Sequence, residues 1–275
     1  MIRDILVNLS QGVEKDTACA FAASLTTHFG AHLTGVSISY EIDVPPFYMG
    51  ALPTDFIEAQ LKENETAAQL AQSRFLKIAA ETGIPHELRT ISASLGLAAQ
   101  QFTHISRLFD LTVVAQPHPD KPGPEEVIAE TVLMDSGRAV LVVPYAYEKP
   151  FGAEHVLLAW DGGRAAARAL AEALPLLHRA QRVDIIRIGV DAEEDADALE
   201  VVRHLSRHGL KTEVRSLDIV SGKSISTVLL DEVEKLGADL VVMGGYGHSR
   251  LKEMVLGGVT REIFSSMTVP VLMAH

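Results

Sequence analysis

The sequence predicts an α/β protein made of two tandem, open-twisted, five-stranded parallel sheets flanked by helices. Short apolar runs typical of buried strands alternate with longer stretches of helical periodicity, which is the pattern of a doubly wound parallel sheet. This alternation runs through one βαβαβαβαβ series and then starts again. The chain of 275 residues has a natural length for two domains of ordinary size.

The first half is divided into elements by its glycines and prolines. The predicted strands cover 2–8, 32–40, 86–92, 111–115 and 139–144, and the predicted helices cover 16–29, 54–82, 95–107 and 125–135. Gly30 and Gly83 directly follow the first two helices, as expected for helix C-caps. Prolines indicate loops over 44–50 and 117–124.

The second half repeats this order. Its predicted strands cover 155–160, 182–190, 212–220, 240–243 and 269–273, and its predicted helices cover 163–177, 195–208, 224–236 and 249–266. Asp110-Leu-Thr-Val-Val in the first half matches Asp239-Leu-Val-Val-Met in the second, and the last strands of the halves also correspond. We therefore expect a tandem duplication with domains over 1–146 and 152–275 and a linker over 145–151.

Composition excludes several classes of function. The net charge of −12 argues against a nucleic-acid partner held through its phosphates. Cys19 is the only cysteine, so no internal disulfide can form, which suits a reducing compartment. No signal-peptide pattern and no apolar run of membrane-spanning length is present, so we expect a cytoplasmic protein with no membrane partner.

A glycine-rich stretch near the C-terminus, residues 239–260, is the strongest candidate for a binding site. The apolar run 240–243 ends in Gly244, Gly245 and Gly247, and the following helical pattern is broken by Gly257 and Gly258. Glycines between a strand and a helix let the backbone approach a ligand and turn its N–H groups toward phosphate. The alternative is that these glycines only let the helix pack closely on the strand.

This stretch resembles the nucleotide motif of the universal stress protein family. The motif is Gly, two residues, Gly, nine residues, Gly and then a small hydroxyl residue; Gly244, Gly247 and Gly257 fit it, and Thr260 supplies a hydroxyl three residues later. Trp160-Asp161-Gly162 resembles the Asp-Gly element after the first strand of that family. The resemblance covers essentially the whole chain as two copies of the family domain. It implies a Rossmann-like fold of the adenine nucleotide alpha hydrolase-like type, with ATP as the ligand, with or without Mg²⁺.

In an open parallel sheet, ligands bind beyond the carboxyl ends of the strands. We expect backbone N–H groups of 244–247 and 257–260 to face phosphate, Asp161 to accept from ribose or adenine, and Ile188 and Met243 to form an apolar slot for the base. The predicted nucleotide-binding residues are Ala159, Trp160, Asp161, Ile188, Met243, Gly244, Gly247, His248, Gly257, Gly258, Val259 and Thr260. One departure from the family is Gly258, which stands where ATP-binding members usually carry Ser or Thr.

The first half has lost the glycine motif. A proline-rich loop over 117–124 follows its fourth strand, and proline removes backbone donors. Asn8 is taken as the first-half counterpart of Asp161. We therefore expect the first half to be a structural or pseudo-symmetric partner that pairs with the second through the last strands, 140–143 and 269–273. The alternative is that the first half binds a different ligand of its own. The tandem chains could also form a further homodimer.

The resulting hypothesis is an ATP-binding stress-response sensor or adaptor with one nucleotide site, in the second half, and an unknown protein partner. The rival is a nucleotide-independent scaffold, or a binder of another small molecule, with vestigial pockets.

Catalysis has little support, because the chain has no Gly-x-Ser-x-Gly elbow and no Walker lysine; Asp161 alone would support at most weak ATP hydrolysis. His204 and His208 are spaced to share a helix face, but a solvated face is favoured over a metal site. Cys19 is expected in the core rather than as a nucleophile.

Overall fold

The computed structural model describes residues 1–42, 53–119, 123–189, 195–219, 221–246 and 258–275. The strands are β1 Asp4–Asn8, β2 His32–Tyr40, β3 His86–Ala93, β4 Leu111–Ala115, β5 Val140–Val143, β6 His155–Ala159, β7 Arg182–Ile188, β8 Thr212–Leu217, β9 Leu240–Gly244 and β10 Val271–Ala274. The helices are α1 Thr17–Phe29, α2 Thr54–Thr82, α3 Leu95–Ser106, α4 Pro124–Asp135, α5 Arg164–Leu177, α6 Asp195–Arg207, α7 Ile225–Leu236 and α8 Val259–Ser266. The predicted loop over 44–50 and residues 249–257 of the last predicted helix lie outside the described residues.

All ten strands form one sheet, in the order β3-β2-β1-β4-β5-β10-β9-β6-β7-β8. The strands of each half run parallel to one another, as predicted. The halves meet where β5 pairs antiparallel with β10, with Leu141 opposite Leu272. The predicted α/β class is confirmed, and the predicted pairing of the last strands joins the two five-stranded halves into a continuous sheet.

The helix ends follow local sequence chemistry. The Asp16 side chain accepts from the backbone N of Cys19 and caps α1, and Ser224 caps α7 by accepting from the N of Thr227. Gly30 ends α1 at a φ of 59°, where glycine has no Cβ to clash. Among the helices of the described ranges, none is both long and apolar enough to cross a membrane.

The sheet separates two hydrophobic cores. One core lies beneath α1, α2, α5 and α6, and the other lies beneath α3, α4, α7 and α8. We call the second one the α4–α8 core. Each core contains residues of both halves, because the sheet continues through the β5–β10 pair. Burial therefore links the two halves on both faces.

The linker over 145–151 is packed against α1. Phe151 donates its backbone N–H to Ser24 Oγ at 2.9 Å, and its ring lies edge-on to Phe21. Tyr147 contacts Phe21 from another side with the same geometry, at a ring separation of 5.8 Å. The connection between the halves is therefore a fixed part of the first-half surface.

Matching hydrogen bonds relate the two halves residue by residue. Asp110 accepts from the backbone N of Arg3 and Asp4. Asp239 accepts in the same way from Glu154 and His155. The next residue along the first strand of each half, Ile5 or Val156, pairs with the residue directly after the aspartate.

This register corrects one expectation from the sequence. Counting along β1 and β6 from the matched residues aligns Asn8 with Ala159, and Ser10 with Asp161. Asn8 is therefore not the counterpart of Asp161. The mistake arose because residues 9–16 connect β1 to α1, whereas only 160–163 connect β6 to α5, so strand ends cannot be matched by spacing from the helix.

Candidate functional site

Four apolar residues of the second half lie on one core near the carboxyl ends of its strands. Ala159 ends β6, Ile188 ends β7 and Met243 lies near the end of β9, all on the sheet face of the α4–α8 core. Val259, the first residue of α8, packs against the same core. Ala159, Ile188 and Val259 are half-buried and Met243 is 5% exposed. The structure thus brings four predicted site residues together, and we call this group the strand-end slot.

The same positions in the first half are closed. The register aligns Asn8, Ile38 and Val114 with Ala159, Ile188 and Met243. Leu141 and Leu272 are equivalent residues, because they lie opposite each other in the β5–β10 pair. Counting back from them through α4 and α8 by the same number of residues aligns Ile128 with Val259. These four first-half residues are at most 3% exposed.

The polar groups beside the closed first-half positions are half-buried. Tyr40 packs against the α4–α8 core at the end of β2. Its burial, helped by the nearby Glu125 carboxylate, raises the pKa of the Tyr40 phenol. Burial also raises the pKa of Glu125. The strand-end positions are therefore buried in the first half, whereas three of the four aligned second-half residues are partly exposed.

Trp160 and Asp161 lie just beyond β6, but their side chains lie in different surroundings. The Trp160 side chain packs on the opposite core, and its backbone N donates to Ile186 O at 2.9 Å. Its ring therefore does not face the strand-end slot. Asp161 is exposed, and its Oδ1 accepts from the backbone N of Gly163 at 2.8 Å, which fixes the carboxylate at the start of α5. It can still accept from a ligand beside the slot.

The glycine pair at the end of β9, Gly244 and Gly245, has a clear packing role. A Cβ on Gly244 would lie 2.6 Å from the backbone N of Ala166, so α5 packs directly on this strand residue. A Cβ on Gly245 would lie 2.9 Å from Leu133 Cδ2 of α4. The packing alternative considered for the sequence therefore applies to both residues, one against each flanking helix.

The backbone donors after Gly244 are engaged within the protein. Gly245 N donates to Ala274 O at 2.9 Å, and Tyr246 N donates to Thr260 Oγ1 at 3.0 Å. This corrects the expectation that all N–H groups of 244–247 face phosphate, because the chain stays paired past the strand and Thr260 then ties it to α8. Thr260 is 2% exposed, and its hydroxyl holds the backbone of Tyr246 to the start of α8.

The start of α8 is the other described part of the predicted motif. Gly258 is the N-cap residue and has no side chain to bond the first turn. Its carbonyl accepts from the backbone N of Arg261 and Glu262. A helix N-terminus without a side-chain cap leaves donors for an anion. Gly247, His248 and Gly257 lie outside the described residues.

The other residues singled out in the sequence do not join this site. The rings of His204 and His208 lie 4.7 Å apart, and His178 lies 6.2 Å from His208. Among residues of the described ranges, no group of three or more His, Cys, Asp or Glu is arranged to hold a metal ion. Cys19 is buried in the core as predicted, and burial raises the pKa of its thiol.

Sequence reasoning missed the contribution of α4 to the second-half site. Leu133 contacts Gly245, and Glu130 accepts from the Tyr246 hydroxyl at 2.8 Å. Both residues lie more than a hundred positions before the glycine stretch, and no motif marks them. The pairing of the last strands was the only available signal, since it brings the helix before β5 beside β9.

Comparisons with known proteins agree on one family. The model of the universal stress protein family matches residues 152–275. Universal stress protein YxiE of Bacillus subtilis (strain 168) is 26% identical over 144 residues, which cover 44% of this chain and 97% of that protein. Universal stress protein Slr1230 of Synechocystis sp. is 25% identical over 151 residues, covering 52% of this chain and 49% of that protein.

Solved structures show that the fold likeness extends over both halves. A universal stress protein from Archaeoglobus fulgidus DSM 4304 aligns with a TM-score of 0.70 and 16% identity, covering 98% of this chain and 95% of that chain. A functionally unknown protein from Pseudomonas aeruginosa PAO1 aligns with a TM-score of 0.59 and 17% identity, covering 98% and 92%.

Proposed function

Because this chain belongs to the universal stress protein family, we propose that it is a stress-response sensor or adaptor that binds one adenine nucleotide, with ATP as the first candidate. The observation that carries the proposal is the difference between the halves. The strand-end slot is partly open in the second half, whereas the aligned residues are buried in the first. One site per chain follows from this difference.

The chemistry of the second-half residues suits a nucleotide. Ala159, Ile188 and Met243 offer an apolar surface for a base, at the sheet edge where open α/β folds bind ligands. Asp161 lies beside it with acceptor oxygens for a ribose or an amine. The uncapped start of α8 at Gly258 supports phosphate binding. Gly247, His248 and Gly257 complete the proposed set, together with backbone of Val259 and Thr260.

We also propose that the chain consists of two family domains, over 1–146 and 152–275. The matching aspartate contacts of Asp110 and Asp239 support this division. The family match to 152–275 supports the second domain directly. A cytoplasmic location, a homodimer of the tandem chain and an unidentified protein partner remain parts of the proposal.

A nucleotide-independent scaffold, or a binder of another small molecule, is the second candidate. The close packing of Gly244 on α5 and of Gly245 on α4 favours it, because packing alone accounts for both glycines. Gly258 favours it as well, since this residue offers no hydroxyl to a phosphate. The two candidates differ in whether the strand-end slot has any affinity for nucleotides.

Titration calorimetry with ATP and Mg²⁺, followed by ADP, AMP and GTP, tests the proposal. We expect one site per chain. The Asp161→Asn variant keeps an oxygen for the Gly163 N–H but loses the charge, and it should weaken ATP binding by about tenfold or more, as for a hydrogen bond to a charged group. Asp231 is an exposed carboxylate of α7 that pairs with Lys223. The Asp231→Asn variant is the matched control and should bind ATP as wild type does.

Two further results decide between the candidates. Ala159→Leu should fill the strand-end slot and abolish binding while the protein stays folded. If millimolar ATP gives no binding heat and no thermal shift, the nucleotide proposal is rejected and the scaffold remains. Phosphate release above background that is lost in Asp161→Ala would instead indicate weak hydrolysis.

A further inference from the structure

A contact between the halves holds the chain just after β9. Leu133 of α4 lies against Gly245, where a Cβ would come within 2.9 Å of Leu133 Cδ2. One turn away on the same helix, Glu130 Oε1 accepts from the Tyr246 hydroxyl at 2.8 Å. A first-half helix therefore touches both residues that follow Gly244, on the side where the proposed phosphate-binding residues begin.

Tyr246 has an unusual backbone conformation at this contact. Its φ is +49°, in the left-handed region that residues other than glycine seldom occupy. Such a conformation persists only where surrounding contacts hold it. Here α8 holds the backbone through Thr260 Oγ1, and α4 holds the side chain through Glu130.

The charge of Glu130 also faces the second half. Arg261 Nη2 lies 3.9 Å from Glu130 Oε1. Counting back from the paired strands β5 and β10 places Glu130 and Arg261 at equivalent positions of α4 and α8. The duplicated helices thus carry opposite charges where they face each other, so Glu130 contacts both Tyr246 and α8.

We propose that α4 of the first half sets the conformation of Gly245 and Tyr246, directly after β9, so that nucleotide affinity in the second half depends on how the two halves pack. This inference rests on the proposed nucleotide site. Tyr246 and Glu130 are positioning residues: their contact fixes the backbone directly after β9, at Gly245 and Tyr246. The first half, whose own strand-end residues are buried, thereby regulates nucleotide affinity in the second half.

Thermodynamic linkage makes the proposal reciprocal. If α4 favours the binding conformation, bound nucleotide must in turn favour the contact of α4 with Tyr246, by the same factor. A nucleotide bound in the second half should therefore protect a helix of the first half. A purely structural contact would not respond to nucleotide.

A double-mutant cycle measured by ATP·Mg²⁺ titration on the full chain tests this inference. Tyr246→Phe and Glu130→Ala should each weaken binding by about fivefold, the lower range of allosteric coupling, and the double variant should be no weaker than either single variant. Glu130→Gln keeps an acceptor oxygen for the hydroxyl and should bind within about twofold of wild type. Glu126→Ala, an exposed residue of the same helix, is the matched control.

Hydrogen exchange of α4 amides with and without ATP is the second readout, and we expect slower exchange with ATP. The inference is overturned if wild type binds ATP while Tyr246→Phe and Glu130→Ala bind equally well and α4 exchange is unchanged. A lower melting temperature with unchanged affinity overturns it too, since it indicates a structural role alone. Failure of wild type to bind any nucleotide rejects the proposed function, and this inference with it.

Discussion

Gly244 shows how one residue serves the strand and the neighbouring helix. It ends β9, and α5 approaches so closely that a Cβ would lie 2.6 Å from the backbone N of Ala166 and 2.9 Å from Ala165 Cβ. Backbone cannot move aside as a flexible side chain can. The glycine is therefore required by packing, whatever it contributes to a ligand.

Gly244→Ala should lower the free energy of unfolding by about 2–3 kcal/mol, as overpacking against fixed backbone does. Urea denaturation measures the change. Gly96→Ala is the matched control: Gly96 lies in α3 with open space around it, so alanine should stabilise the helix by up to about 1 kcal/mol. Equal effects of the two substitutions would contradict the packing argument.

Asp16 is a buried carboxylate whose ionisation costs stability. It caps α1 and accepts from Ser10 N at 2.8 Å and Cys19 N at 2.9 Å, while the Arg74 guanidinium lies near enough to favour its charge. Burial nevertheless dominates and raises the pKa of Asp16 from 3.8 to about 6. The stability that the neutral form gives is complete below pH 3.8 and is lost as the pH rises through 6.

Asp16→Asn therefore makes a pH-dependent comparison. The free energy of unfolding of wild type minus that of the variant should rise by roughly 2.5 kcal/mol between pH 7 and pH 4, which is most of the full effect of roughly 1.4 kcal/mol per unit of pKa shift. Denaturation at each pH measures both proteins under the same conditions, so groups they share cancel. A constant difference, or one that falls toward low pH, would be inconsistent with a raised pKa.

At the scale of elements, β7 is tied to its neighbours by a buried ionic cluster. Asp184 is fully buried and binds His155 Nε2 at 3.2 Å, Arg215 Nε at 3.0 Å and Arg182 Nη2 at 3.1 Å. Burial alone would raise the pKa of Asp184, but the hydrogen bonds from Arg182, His155 and Arg215 outweigh it and keep the pKa below its ordinary value. Three neighbouring cations or donors thus depend on one carboxylate.

Asp184→Ala should destabilise the protein by about 3 kcal/mol, at the lower end for a broken buried pair, because Arg182 and Arg215 are partly exposed and still bind Glu213. Asp231→Ala removes an exposed pair with Lys223 and should change stability by less than about 1 kcal/mol. Chemical denaturation of both variants gives the comparison. A small effect at Asp184 would mean that water replaces its contacts.

The two edge strands of the sheet show a related use of charge. β3 carries the pair Glu87 and Arg89, and β8 carries Glu213 and Arg215. Charged side chains on an edge strand oppose pairing with another sheet. The apolar last strands, β5 and β10, are by contrast covered by each other in the centre. This contrast explains why the halves join there rather than through β3 or β8.

On the scale of the whole molecule, the continuous sheet and the two shared cores predict one cooperative unfolding unit. Trp160 is the sole tryptophan and lies in the second half, so its fluorescence reports that half, whereas far-UV circular dichroism reports both. We expect the two denaturation curves to coincide. Leu272→Asp places a charge in the β5–β10 pair and should shift both curves together to lower denaturant. An earlier, separate fluorescence transition would show that the halves unfold independently.

Much of the fold was predictable because the local signals agree with one another. Strand runs, glycine C-caps and the repeated Asp110 and Asp239 landmarks located the elements to within a few residues, apart from residues 249–257 of the last predicted helix, which lie outside the described residues. The pairing of the last strands followed from their apolar character. The alignment of Asn8 with Asp161 failed because loops of unequal length separate each first strand from its helix. The backbone donors of Gly245 and Tyr246 could not be assigned, since their partners lie on β10 and α8.

The sequence by itself determined the duplication, the parallel order within each half and the difference between a glycine-rich and a proline-rich loop, because these depend on residue types along short stretches. Only the tertiary structure decided which strand-end residues are buried, since that depends on which side chains of several strands and a helix meet at one point. It also decided that Glu130 and Leu133 of the first half contact Tyr246 and Gly245 of the second. Contacts between the halves depend on the register of the β5–β10 pair, which no local sequence pattern encodes.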